Sequence, residues 1–397
     1  MHITFLLNQE LEGASSLGRH FPLAKELVKL GHQIRILATH PAFATLTERH
    51  FWRDGVEVHY VGQMHVRRIG NRKTYPAQPE LIKAALASTW QMFRQATALP
   101  TDAYQVCKAQ PVNGLAALMA RILRRKPLFL DSDDYEIEFN RFTAAWQRLV
   151  VGSFERFLPR VAKGVTTHTR FNVVRNISYG IPANRVVYVP NGIDRERFAQ
   201  ITVQDARSKR AQLGLTGHPV IVYVGNLSLA NHPINLLLRS FAQVREQVPR
   251  ARLLLVGGGE DYDVIHAQVV EMGLAESVLF TGRVPPEQVP LWFKLADVSV
   301  EPVQDDMVAR ARSPLKVFES MAVGTPVVAG DVGDRREILG EAGVLVTPGD
   351  AGALAEGLVT ILEEERARLH MAQAARSQCE RYYWDVLVYD FERVYHL

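Results

Sequence analysis

Short apolar runs recur along the chain, and each is followed by a turn and then by apolar positions at helical spacing. They fall at 3–7, 33–38, 56–61, 103–108, 127–130, 164–167 and 186–189, then at 220–224, 252–256, 277–280, 298–300, 327–329 and 343–346. Runs this short, rich in Val, Ile and Leu, predict strands buried on both faces, and the helical stretches between them predict parallel sheets covered on either side. The helices have readable ends. Segment 20–30 puts Phe21, Ala24, Leu27, Val28 and Leu30 on one side and stops at Gly31. Segment 314–323 is expected to start after Ser313 as N-cap, with Pro314 at N1, and to stop at Gly324. The closing stretch, 380–397, is rich in Tyr, Trp and Phe and reads as helical.

Pro190-Asn191-Gly192-Ile193-Asp194 is the best internal boundary, because Pro ends the preceding strand and Asn-Gly makes a tight turn. About six strand–helix units on either side predict two doubly wound α/β domains with a cleft between them, and ligands in such sheets sit at the carboxyl ends of strands. The expected domains are 1–190 and 191–378, with 379–397 as a helix packing back on the first. A length of 397 residues suits two domains. With 47% apolar and 22% charged residues, the composition excludes a disordered chain or a coiled-coil rod.

Charge sharpens the division. Residues 1–190 hold 25 Lys and Arg against 14 Asp and Glu, whereas 191–397 hold 21 against 28, so the halves suit different partners. Cys107 and Cys379 are too far apart for a framework or a Cys-rich metal site and read as buried thiols. The first residues lack the basic stretch of an export signal. The uncharged stretch 219–238 contains Asn226, Asn231, His232 and Asn235 and does not qualify as a membrane span. The expected location is the cytoplasm, or the inner face of a membrane as a peripheral protein.

Several chemistries fail on inspection. There is no Gly-Lys-Ser/Thr, and Gly257-Gly258-Gly259 lacks the glycine a dinucleotide fingerprint needs at position 262, which is Tyr262. Asp131-Ser132-Asp133-Asp134 contains an Asp-x-Asp pair, which suits a helix start or polar loop better than a cation without further ligands. The informative stretch is 310–329. There a loop bearing Arg310 and Arg312 feeds a helix start at Ser313-Pro314, with Lys316 in the first turn. Backbone N–H groups, the helix dipole and three cations make an anion site suited to a diphosphate. Glu319, one turn on, suits a pair of ribose hydroxyls.

With that stretch belong Glu12-Gly13-Ala14-Ser15-Ser16, Gly31-His32-Gln33-Ile34, Val189-Pro190-Asn191-Gly192-Ile193-Asp194, Val224-Gly225-Asn226 and the run from Phe318 to Val328. In this order they resemble the retaining glycosyltransferases of family 4, which have the two-domain GT-B fold, and the branch that makes cell-surface polysaccharides and lipid-linked sugars. The resemblance implies that Glu319 holds the nucleotide ribose and that Gly13 belongs to a loop closing on the diphosphate. It also implies that Arg283 and Val284 meet the base, and that Ser313, Pro314 and Lys316 lie on the phosphate side. There are departures. Glu319 matches the second Glu of the family's Glu-x7-Glu pair, whereas Ala311 stands where the family has the first, with Asp305 or Asp306 as candidate replacements. Asn226 and Asn231 stand where the family has Arg and Lys. Arg310, Arg312 and Lys316 are the residues able to restore that charge; otherwise the donor site is degenerate and the protein binds a nucleotide sugar without turnover.

Lys316 is the candidate to meet leaving-group charge. Asp133 is the candidate to activate an acceptor hydroxyl, and Asp131 and Lys108 are the acceptor-binding candidates, although the acidic cluster also suits a helix cap. His168 reads as a satisfied structural histidine. The implied reaction is retaining, metal-independent, and without a cofactor beyond the nucleotide-diphosphate sugar as co-substrate. The acceptor expected is a sugar or a polyprenyl-linked molecule. Arg67, Arg68, Arg72 and Lys73, with Arg121, Arg124, Arg125 and Lys126, suit an anionic membrane surface if Trp90 and Phe93 are exposed, and mere solvation if they are core. Nucleic acid is not indicated, since no binding motif accompanies these clusters.

Overall fold

Each of the thirteen apolar runs forms a strand in a computed structural model of the chain, which describes residues 1–13, 16–69, 72–74, 76–140, 142–230 and 232–397. The chain divides into two units, 1–190 with 384–397, and 191–383.

The first unit carries β1 (His2–Leu7), β2 (Gln33–His40), β3 (His50–Arg53), β4 (Val56–Gln63), β5 (Arg67–Ile69), β6 (Arg72–Thr74), β7 (Ala103–Cys107), β8 (Leu128–Asp131), β9 (Gly164–Thr167) and β10 (Val186–Tyr188). Eight of these make one sheet in the order β10-β9-β8-β7-β1-β2-β4-β3, while β5 and β6 form a separate hairpin. All pairs in the large sheet are parallel except β3 against β4. Strand order reverses between β1 and β7, the point at which doubly wound sheets gather ligand-binding loops. β3 and the β5–β6 hairpin carry no apolar run, so the pattern of buried strands passed over them.

The second unit carries β11 (Val220–Val224), β12 (Arg252–Val256), β13 (Val278–Gly282), β14 (Val298–Glu301), β15 (Val327–Gly330) and β16 (Gly343–Val346), all parallel, in the order β13-β12-β11-β14-β15-β16. Its reversal lies between β11 and β14. Core clusters line both faces of this sheet, one containing Val222, Leu254 and Phe318, the other Ile221, Leu255 and Phe241.

The closing segment divides. Cys379, Tyr382 and Tyr383 pack in the core of the second unit, whereas Trp384, Leu387, Phe391 and Tyr395 pack in that of the first. The single helix expected over 380–397 is therefore broken at Tyr383, which is extended (φ −77°, ψ 143°), and the return starts at Trp384 rather than at residue 379.

Candidate functional sites, one in each unit

At the carboxyl end of the first sheet, β8 ends in Asp131. Arg19 meets both its oxygens (Nε to Oδ2 2.7 Å, Nη2 to Oδ1 2.8 Å), Thr166 donates to Oδ1 at 2.7 Å, and His20 Nε2 lies 3.3 Å from Oδ2. Burial works against the Asp131 charge, but the Arg19 guanidinium outweighs it and holds the carboxyl well below its usual range. Arg19 also donates to the carbonyls of Val189 and Pro190. This corrects the acceptor-binding expectation for Asp131: two hydrogen bonds from Arg19 and one from Thr166 engage both of its oxygens, and the group is a buried strut. It also removes the Asp-x-Asp cation reading, since both Asp131 oxygens are already engaged.

The loop after β7 holds Lys108 at φ +69°, an uncommon conformation for a residue with a Cβ. Its ammonium lies 2.5 Å from Asp134, 3.3 Å from Asp133 and 3.8 Å from Glu136. Burial opposes the Lys108 charge, yet the three carboxylates raise its pKa well above the ordinary value. Asp133 is buried, accepts the Asp134 N–H at 2.8 Å, and has its pKa raised by burial against the pull of Lys108. The cluster thus joins Asp133 to Lys108, as a shared ionic group rather than as separate base and acceptor ligand. Glu136 escaped sequence reasoning. Burial lifts its pKa to about 7, with Lys108 opposing, and its Oε2 accepts from Gln110 (3.1 Å) and Asn140 (2.8 Å). A carboxyl poised near neutrality at the start of the short helix Glu136–Phe139, beyond the end of β8, is suited to proton transfer. His168 was expected to be satisfied. Its Nδ1 has no hydrogen-bond partner among the described residues, and burial lowers its pKa to about 3, so it is a neutral imidazole. Gly13 lies in the loop after β1, its N–H donating to Glu10 (3.2 Å) and its carbonyl accepting from Leu17 (2.9 Å). Its neighbours Ala14 and Ser15 lie outside the described residues.

In the second unit, two motifs more than a hundred residues apart clasp each other. Asn191 Nδ2 donates to the Ser313 carbonyl at 2.7 Å, and its N–H to Ser313 Oγ at 3.4 Å. Ile193 is buried, and Asp194 caps the short helix Arg195–Ala199. From that helix Arg197 reaches Glu319 (Nη1 to Oε1, 3.3 Å) and the Pro286 carbonyl. Ser313 is therefore not the N-cap. The helix runs Leu315–Ala322 with Pro314 in the cap position and no side-chain cap bond, because Ser313 faces Asn191 instead. Glu319, expected to meet ribose, lies on this helix with Arg197 as a partner that spacing did not reveal; burial raises its pKa and Arg197 opposes.

Lys316 Nζ lies 4.1 Å from the centroid of the Tyr223 ring, beside Gly225, where an added Cβ would come within 3.0 Å of it. It is buried and has no hydrogen-bond acceptor among the described residues. Burial lowers its pKa to about 8, Arg312 pushing the same way and Glu301 opposing. Glu301 does not pair with it, being held bidentate by Arg335 (2.6 and 2.8 Å). His232, also missed, sits within the field of Lys316 and Arg312; burial first, then those cations, takes its pKa down to about 2.

The remaining candidates fall around this centre. Asn226 is exposed and its carbonyl accepts from Tyr223 Oη at 3.1 Å; Asn231 lies outside the described residues. Arg283 is exposed and its stem lies over Gly258, while Val284 packs against the core. Arg310 is exposed and paired with Asp305 (2.6 and 2.8 Å), and Asp306 caps the turn Met307–Arg310, so neither Asp extends towards Lys316 as a free replacement for the carboxylate absent at Ala311. The Gly257–Gly259 run has a steric cause: a Cβ at Gly257 would sit 1.9 Å from the Gly225 carbonyl, and one at Gly259 2.1 Å from that of Leu227. These glycines let the loops after β11 and β12 lie backbone to backbone.

Residues 21–192 match the glycosyl transferase 4-like domain, and residues 218–364 match the glycosyl transferases group 1 family. The GDP-mannose-dependent alpha-(1-6)-phosphatidylinositol monomannoside mannosyltransferase of Mycolicibacterium smegmatis is 30% identical over 53% of this chain and 56% of its own. A D-inositol 3-phosphate glycosyltransferase of Corynebacterium aurimucosum is 27% identical over 55% of this chain and 52% of its own. The chain spans about half the length of the curated relatives it matches. In structure it is similar to a sucrose-phosphate synthase from Thermosynechococcus elongatus (TM-score 0.78, 19% identity, 100% of this chain and 98% of that one). It is likewise similar to Anabaena HepE in complex with UDP (TM-score 0.73, 21% identity, both chains covered fully). The fold is GT-B. The two curated relatives are named as a mannosyltransferase and a glycosyltransferase.

Proposed function

The chain belongs to the family 4 glycosyltransferases, and from that premise we propose that it transfers a sugar from a nucleotide-diphosphate donor to a hydroxyl of a lipid-linked or polysaccharide acceptor. The observation that carries the donor half is Lys316. A buried ammonium without an acceptor is costly, and the uncapped start of helix Leu315–Ala322 adds N–H groups and a positive dipole end to the same place. A diphosphate satisfies both. As the anomeric C–O bond breaks, negative charge grows on the leaving phosphate, and a preplaced cation meets it without a metal. Glu319, steadied by Arg197, suits the ribose, and Ser313, Pro314, Arg312, Arg283 and Val284 line the donor side. Retention requires the acceptor hydroxyl to attack the anomeric carbon from the face on which the phosphate leaves, and there the leaving phosphate oxygen takes the hydroxyl proton. Asp133, Lys108 and Glu136 form the acceptor-side cluster in the first unit.

Membrane association is part of the reading. No helix among the described residues is long and apolar enough to cross a membrane. On helix Gln78–Ala98, Ile82, Leu86 and Trp90 stand exposed at four-residue intervals while Met92 is buried. That places Trp90 outward, on a single stripe suited to an interface. The basic residues are less free than their number suggests. Arg121 and Arg124 donate to the Val161 and Thr97 carbonyls, and Lys126 pairs with Asp102; the side chains of Arg68, Arg72 and Lys73 are not among those described.

The test is a panel of UDP- and GDP-sugars offered with lipid-linked acceptors and followed by product mass, in chelator. Transfer by the wild type and at least about tenfold weaker nucleotide binding by Glu319→Ala are expected. Binding of donors with no product on any acceptor would overturn the catalytic reading, and loss of transfer in chelator its metal independence. Vesicles containing anionic lipid should retain the chain, and Trp90→Ser should reduce that retention.

A further inference from the structure

On the edge of the first sheet, β3 and β4 place His50 directly opposite His59, with Glu57 two residues away on the same face of β4. Both imidazoles aim Nε2 at one atom: Glu57 Oε1 lies 2.9 Å from His59 Nε2 and 3.2 Å from His50 Nε2. The rings are stacked, 4.1 Å between centroids and 15° apart. All three donor atoms fall within 4.8 Å of one another.

We propose that His50, Glu57 and His59 form a binding site for a divalent transition metal of the zinc class, clipping the edge strand to its neighbour. With metal–donor distances of ~2.0–2.2 Å, tetrahedral donors stand about 3.3 Å apart. Each Nε2 is already near that spacing from Glu57 Oε1. The three donors, none more than 4.8 Å from another, need to draw together by at most about 1.5 Å to close on an ion. Two imidazoles and one carboxylate form a borderline set that suits Zn²⁺, Co²⁺ or Ni²⁺ and discriminates against Mg²⁺ and Ca²⁺. Three protein donors leave a fourth position for water. The other carboxylate oxygen, Oε2, is held by Arg35 Nε at 2.7 Å, and Arg35 Nη1 is anchored on the Pro100 carbonyl. That outer contact fixes which oxygen faces the histidines. β3 has no partner beyond β4 in the sheet, and edge strands are the places a fold most needs such a tie. Two other acidic groups lack this character. Lys108 already stands among Asp133, Asp134 and Glu136, and Glu12 is taken by the Tyr60 hydroxyl. The inference is independent of the transfer reaction.

The experiment is titration of untagged, chelator-stripped full-length protein with Co²⁺, read by visible absorption, followed by Zn²⁺ competition. One equivalent should bind with a tetrahedral spectrum that Zn²⁺ bleaches. His50→Ala and His59→Ala should each weaken binding by more than ~100-fold, the upper end of what losing an outer contact costs. His50 is 53% exposed, so its replacement leaves the fold intact and decides the matter if His59→Ala unfolds. No uptake by the wild type, or uptake that His50→Ala leaves unchanged, would overturn the site.

Discussion

A lysine ammonium removed from water loses solvation, and in the second unit no hydrogen bond among the described residues returns it to Lys316. Its folded pKa, about 8, lies below the ordinary 10.5. Between those values the unfolded chain binds the extra proton, so stability rises with pH across that window. Lys316→Met removes this slope. The free variant should be more stable than wild type near neutrality by about 1–3 kcal/mol, the gap closing towards pH 10, as urea unfolding at several pH values would read. The same variant should bind UDP and GDP at least ~10-fold more weakly, because a charge-assisted contact is lost. Stability gained where binding is lost is the mark of a residue held for a ligand. Glu136 carries the opposite sign. Its pKa is raised from 4.5 to about 7 by burial, so its contribution is full below the unfolded value and fades as pH rises through 7. Glu136→Gln should flatten that dependence in thermal unfolding between pH 5 and 8; an unchanged profile would assign the titration elsewhere.

Elements carry the site only where their backbones come close enough. At Gly257, φ is +143° and a Cβ would overlap the Gly225 carbonyl. Gly257→Ala must therefore push the loop after β12 away from Gly225, against which Lys316 lies. Destabilisation of about 2–4 kcal/mol is expected in chemical unfolding, together with weakened nucleotide binding, whereas an exposed Gly→Ala change such as Gly273→Ala should spare the binding. Such a contact shows what the sequence could and could not reveal. Every two-face-buried strand was legible, because burial on both sides writes an uninterrupted apolar run; β3 was not, because only Phe51 of its four residues turns inward to pack. The helix start at Ser313-Pro314 was legible to within one residue, but the Ser313–Asn191 clasp that shifts it joins residues far apart in the chain. Lys316 and Glu319 stood out from residue type beside a helix start. Arg19, Glu136 and Tyr223 did not, since their roles come from partners that only the folded sheet brings near. Asp131 was misread for the same reason: a carboxylate in a polar motif looks available until its four contacts are seen.

At the scale of the whole chain, the two units are not two consecutive stretches of sequence. Residues 384–397 return to the first unit and insert Trp384, Leu387, Val388, Phe391, Val394 and Tyr395 into its core. The Tyr395 hydroxyl donates to Gln105 at 3.0 Å, and Gly164 in β9 leaves the room that Val394 fills, since a Cβ there would lie 2.6 Å from its methyl. Burying a large apolar side chain stabilises by about 1.5–3 kcal/mol. Six such side chains together match or exceed the ~5–15 kcal/mol by which a domain is usually stable. Ending the chain at Tyr383 should therefore unfold the first unit while leaving untouched the second unit's core, which closes on Cys379, Tyr382 and Tyr383. Calorimetry of the shortened protein should show one cooperative transition lost, proteolysis should degrade residues 1–190 first, and UDP or GDP should still raise the melting temperature of what remains by mass action. Transfer should vanish although the donor half survives, because the segments after β7 and β8 that bear Lys108, Asp133 and Glu136 go with the first unit. If instead both transitions persisted, the return would be a surface strap, and the stability of the first unit would reside in its sheet and flanking helices alone.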